Sequence, residues 1–123
     1  MIRGHAIFYE RVGAGRPVYF VHGGPGFDHT YFRPFVDALA AHHELVFYDQ
    51  LGNGRSERPT PLACGIDGWV AELDALRAAL GHERITVLGH SFGTLIALAY
   101  ASAFASRVES VVLVAPPAAF DFP

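Results

Sequence analysis

The chain holds one cysteine, one methionine and one tryptophan in 123 residues, and no histidine after His90. With Cys64 alone no intrachain disulfide can form, which fits a cytoplasmic protein. Positive charge is short too: nine Lys and Arg against twelve Asp and Glu leave a formal net charge of −3. That gives no basic patch and argues against a nucleic-acid partner. No apolar run reaches the length of a membrane span; Leu95 to Ala105 is too short and is broken by Ser102. Met1 to His5 lacks the apolar core of a signal peptide. His42-His43 has no carboxylate at zinc-binding spacing, and Gly52-x-Gly54 is too short for a phosphate cradle. The expectation is no metal, no cofactor and no membrane partner.

Apolar residues are what the chain has in quantity. It is 51% hydrophobic and 17% charged, with ten Phe, the profile of a packed core in one modest domain. Gly89-His90-Ser91-Phe92-Gly93 is its most informative stretch. Before it, Arg84-Ile85-Thr86-Val87-Leu88 reads as a buried strand; after it, Thr94 to Ala101 reads as a helix. Serine on a tight turn between strand and helix is the setting of a nucleophile elbow, with the hydroxyl exposed and the helix N-terminus behind it. Gly89 and Gly93 are expected where a Cβ would crowd the neighbouring strand or helix.

A second segment points the same way. Val18 to Val21 is an apolar run followed by His22-Gly23-Gly24-Pro25-Gly26. Such a loop leaves backbone N–H groups for an oxyanion, as acyl transfer requires. The expected donors are the amides of Gly24 and of Phe92, the residue after the serine. Pro25 has no N–H to give and would stiffen the loop.

Between these motifs the chain alternates. Residues about 5–11, 17–22, 44–49, 84–88 and 111–114 read as strands. Helices are expected over about 32–41, capped by Asp28 or Thr30, from Ile66 to Leu80 with Gly81 as its end, and after the elbow. In the first of these, Phe32, Phe35, Val36 and Leu39 would share one face. The class is therefore α/β: a mostly parallel sheet with helices on both faces and its site at the strand carboxyl ends.

Three segments carry a family likeness: His22-Gly23-Gly24-Pro25-Gly26, Asp49-Gln50-Leu51-Gly52-Asn53-Gly54-Arg55-Ser56, and the elbow at Ser91. On these the chain resembles the α/β-hydrolase superfamily, and within it the proline iminopeptidase group. The Gly-His-Ser-Phe-Gly form is also similar to that of esterases, lactonases and carbon–carbon bond hydrolases. The resemblance implies a serine hydrolase acting on a small ester, lactone or peptide. It also implies that the strand at 84–88 lies between those at 17–22 and 110–114.

The superfamily's chain order is nucleophile, then acid, then histidine. Residues 1–123 are thus expected to be a partial core domain, the N-terminal half, without the cap segment or the triad histidine. Asp121 stands where some members place the acid. His22 would brace its loop or touch substrate, and Asp49 and Arg55 would brace the loop after their strand. His5, His29, His42, His43 and His82 are expected at the surface, and His90 is expected to point away from the serine. The two readings are a serine hydrolase, and a catalytically incomplete fragment that binds or assembles. In either, a complementary C-terminal half or self-association would cover the strand at 110–114.

Overall fold

The computed structural model describes residues 1–116 except Pro25 and Ala63; Asp121 lies outside the described residues. Among the described residues five strands form one sheet: β1 (Tyr9–Gly13), β2 (Arg16–Val21), β3 (His43–Tyr48), β4 (Ile85–His90) and β5 (Val108–Val114). Their order is β1-β3-β2-β4-β5. β2–β3, β2–β4 and β4–β5 pair in parallel, and β1 closes one edge antiparallel to β3. β4 lies between β2 and β5, as the family likeness implied.

Two α-helices, α1 (Ile66–Ala79) and α2 (Gly93–Ala103), cover one face. Trp69, Val70, Leu73 and Leu76 of α1 and Ile96, Ala97 and Tyr100 of α2 pack there on Tyr19, Val21, Val46, Tyr48, Ile85 and Val87. The opposite face, with Val18, Phe20, Leu45 and Phe47, is covered by Phe32 and, beside it, Tyr31, Val36 and Ala40. These side chains come from two 3-10 turns, His29–Phe32 and Asp37–Ala41, and the residues beside them.

Those turns correct the helix expected over 32–41. Pro34 is the cause. It has no N–H to donate, and the residue before a proline is pushed out of the helical region. Arg33 is extended accordingly, at φ −101° and ψ 143°. The apolar face survives only in part: Phe32 is buried, while Phe35 is 84% exposed. Asp28 does cap the first turn, accepting from the Thr30 amide. The first strand is also displaced, running over Tyr9–Gly13 after an isolated bridge between Ile2 and His5.

α1 is tied to the segment after β3 by a buried carboxylate. The Leu51 amide donates to both oxygens of Glu72, and the Trp69 indole donates to the Leu51 carbonyl. Burial is the main influence on Glu72 and pushes its pKa from 4.5 up to about 7. The folded chain therefore binds this proton more tightly than the unfolded chain. Between pH 4.5 and 7 the folded state holds the proton and the unfolded state has lost it, so this group makes stability fall as pH rises. The full difference is about 3 kcal/mol, reached above pH 7. Glu72→Gln keeps an acceptor for Leu51 and removes the charge. Urea unfolding at about pH 8 should show the variant more stable than the parent, with the gap closing as pH falls to the ordinary carboxylate range. Equal stabilities at the higher pH would contradict the assignment.

Candidate active site

Ser91 follows β4 and precedes α2, with φ at +53°. Few non-glycine residues sit in that left-handed region, and doing so costs about 1 kcal/mol or more. The turn is fastened on both sides. The Ser91 amide donates to the Val114 carbonyl, and the Ser91 carbonyl accepts from the Thr94 amide and hydroxyl. The Ser91 hydroxyl has no hydrogen-bond partner among the described residues.

The glycines around the turn are set by sterics. A Cβ on Gly89 would lie 2.5 Å from the Gly93 carbonyl and 2.9 Å from the Thr94 Cα. One on Gly93 would run into the Val21 carbonyl of β2. The start of α2 thus rests directly on the end of β2, and that contact brings the two loops together. A Cβ on Gly23 would be 3.3 Å from the Ser91 Cβ.

The glycine loop's amides are unevenly committed. Gly23 N–H donates to the Tyr31 hydroxyl at 2.7 Å, and Gly26 N–H to the Asn53 side-chain oxygen at 2.7 Å. The Gly24 amide has no partner among the described residues, and Gly24 sits at φ +129°, a conformation side chains disfavour. Phe92 is buried, with its ring edge-on to Trp69 at 5.8 Å. A cleft of about 410 Å³ opens alongside, lined by Gly26, Phe27, Asp28, Tyr31 and His90. Its carboxylate, Asp28, is held below the usual range by hydrogen bonds from the Thr30 hydroxyl and amide.

Three histidines near the site have fixed partners. His22 is buried; its Nε2 accepts from the Gln50 amide, so Nδ1 carries the proton and donates to the Gly23 carbonyl. Burial lowers its pKa and keeps it neutral. It braces two loops. His90 contacts the Tyr31 hydroxyl through Nδ1 at 2.8 Å. His29, expected at the surface, is instead 3% exposed, with Nδ1 2.7 Å from Asp49. Its sequence signal is Asp28-His29 following the glycine loop, which fixes the turn but not its direction. His82 is also drawn in, between Tyr19 and Glu44.

Asp49, after the end of β3, is fully buried and holds two loops at once. Its carboxylate accepts from the His29 amide and the Arg55 amide, and its carbonyl accepts from the Ser56 hydroxyl. Gly54 is required there, since a Cβ would strike that carboxylate. Asp28, His29 and Asp49 could offer three ligand atoms to a cation within 4.8 Å of one another. Both Asp49 oxygens and Asp28 Oδ1 already contact protein donors, and through them the cluster braces its loops.

Residues 16–122 match the family described as the alpha/beta hydrolase fold. The chain belongs to that family. Among relatives of this alpha/beta hydrolase, a proline iminopeptidase of Heyndrickxia coagulans is 39% identical over 109 residues, covering 88% of the chain and 38% of the relative. A 2-hydroxy-6-oxo-2,4-heptadienoate hydrolase of Pseudomonas putida is 38% identical over 104 residues, covering 83% and 38%. The crystal structure of a proline iminopeptidase-related protein from Thermus thermophilus superposes with a TM-score of 0.89 at 31% identity, covering 94% of the chain and 42% of that protein. The chain spans about two fifths of the length of these relatives. Among the described residues no helix is long and apolar enough to cross a membrane.

Proposed function

We propose that this alpha/beta hydrolase chain carries the nucleophile side of a serine hydrolase acting on an ester or amide bond. Ser91 Oγ attacks the carbonyl carbon, and the Gly24 and Phe92 amides receive the oxygen as it becomes an oxyanion. Collapse of the tetrahedral intermediate expels the leaving group and leaves an acyl-serine for water to hydrolyse. No step calls for a cofactor. The observation that carries this reading is the left-handed backbone of Ser91 at a strand-to-helix turn, against the glycine loop. A strained serine needs a reason, and display of a nucleophile is one.

The substrate is a small ester, lactone or peptide, and the proline iminopeptidases among the relatives favour the peptide. A fluorophosphonate probe tests the nucleophile: once a complementary C-terminal polypeptide supplies an acid and a histidine, it should attach once per chain, and Ser91→Ala should abolish the label. Labelling at another residue, or persisting in the variant, would remove Ser91 from the role.

A second reading has an observation of its own. Among the described residues β5 pairs with β4 alone, and its Val112, Leu113 and Val114 are about 40% exposed. In this reading the chain is an incomplete hydrolase that acts as an assembly module. A complementary half or a second copy would cover that edge.

A further inference from the structure

The donors of the glycine loop must be held against the elbow, and the described contacts show one side chain bridging the two. Tyr31 belongs to neither motif. Its hydroxyl accepts from the Gly23 amide at 2.7 Å and meets His90 Nδ1 at 2.8 Å. Its ring stacks on Phe32, with centroids 4.6 Å apart, and lies 5.1 Å from the His90 ring. Gly23 is on the loop after β2, and His90 is the residue before Ser91.

The direction of this relay follows from donor counting. An amide can only donate, so the Tyr31 oxygen accepts from Gly23. The phenol proton then has His90 Nδ1 as its acceptor in reach, which leaves the imidazole proton on Nε2. Both ends of the loop are thus pinned, Gly23 by Tyr31 and Gly26 by Asn53. The Gly24 amide has no partner among the described residues, so it remains for a ligand.

We propose that Tyr31 is a positioning residue, whose hydroxyl couples the glycine loop to the elbow and so sets the Gly24 amide relative to Ser91. The proposal rests on the serine-hydrolase reading for its consequence, while the coupling itself can be tested without it.

The test uses the full 123-residue chain and Tyr31→Phe, which keeps the ring stacking and removes the hydroxyl. Amide hydrogen exchange by NMR should show Gly23 exchanging roughly tenfold faster, the worth of one hydrogen bond, with Gly26 unchanged. With a complementary C-terminal polypeptide supplying an acid and a histidine, phosphonylation of Ser91 by the fluorophosphonate should slow by about 10- to 100-fold in its first-order step, as misplacement predicts, with half-saturating probe concentration unchanged. A purely structural role would lower the melting temperature and leave the first-order step alone. His90→Leu keeps the hydroxyl and removes its acceptor; it should loosen Gly23 by less, and it carries the test should Tyr31→Phe fail to fold. Unchanged Gly23 exchange in the folded variants overturns the coupling. Faster Gly23 exchange with an unchanged phosphonylation rate overturns the positioning role. Failure of the parent chain to label when that polypeptide is present would instead defeat the nucleophile assignment, with Gly23 exchange still deciding the coupling.

Discussion

Gly93→Val is expected to leave no folded protein at about 37 °C. Gly93 opens α2 on the end of β2, where an added Cβ would overlap the Val21 carbonyl and lie 2.7 Å from the His22 carbonyl. Both obstacles are backbone. Val21 is paired with Gly89 in the β2–β4 ladder, and Tyr19 and Val21 lie under the helices in the main core. Relief therefore means lifting α2 from the sheet, with Ile96, Ala97 and Tyr100, all buried on that face. Overpacking in a core costs about 1–3 kcal/mol when side chains can adjust, and more when they cannot. Valine adds two methyl groups beyond the Cβ, so a loss above about 4 kcal/mol is expected, most of a small domain's stability. Circular dichroism and solubility on expression are the readouts. Gly81→Ala is the control: Gly81 has φ +81° with nothing near its Cβ position, so only the backbone penalty of about 1 kcal/mol applies. Similar melting of the two variants would show that α2 does not sit on β2 as described.

The second large effect concerns catalysis. The 123-residue chain, purified alone, should show no serine-dependent turnover of p-nitrophenyl acetate or proline p-nitroanilide. Serine needs a base to take its proton, and the candidates near Ser91 are otherwise engaged. His22 Nε2 accepts from Gln50, His29 is held by Asp49, and His90 Nδ1 faces Tyr31. No histidine follows His90 in the 123 residues. Loss of a triad base removes about 10⁶ in kcat, leaving roughly 10³ to 10⁴ over water from oxyanion donors and binding. Adding a complementary C-terminal polypeptide that supplies an acid and a histidine should restore turnover. Enzyme-like rates from the chain alone, lost in Ser91→Ala, would show that one of these histidines can be released to act as base.

Local chemistry made much of this legible. The elbow is spelled in consecutive residues, and its glycines answer to contacts within a few positions or across one strand pair. The apolar runs mark β2, β3, β4 and β5 to within a few residues of their ends; β2 and β3 have few polar interruptions because they are buried inside the sheet, and β5 is as apolar although most of it is exposed. The 32–41 segment departs from its helical spacing because Pro34 outweighs the periodicity around it. Tyr31, Asn53 and Glu72 left no sequence signal: each acts on a backbone amide in another segment, and amides carry no letter. His29 departs from the surface for a related reason. A histidine looks like surface until its carboxylate partner, 20 residues away, is brought beside it.

The Tyr31–His90 contact joins residues 59 apart in sequence. Helices can form from local contacts within microseconds, whereas this pairing waits for distant segments to meet and for β2 to dock against β4. The candidate site is therefore a late product of folding: an early species with native helix content has a serine, a tyrosine and a glycine loop in hand, and no arrangement among them.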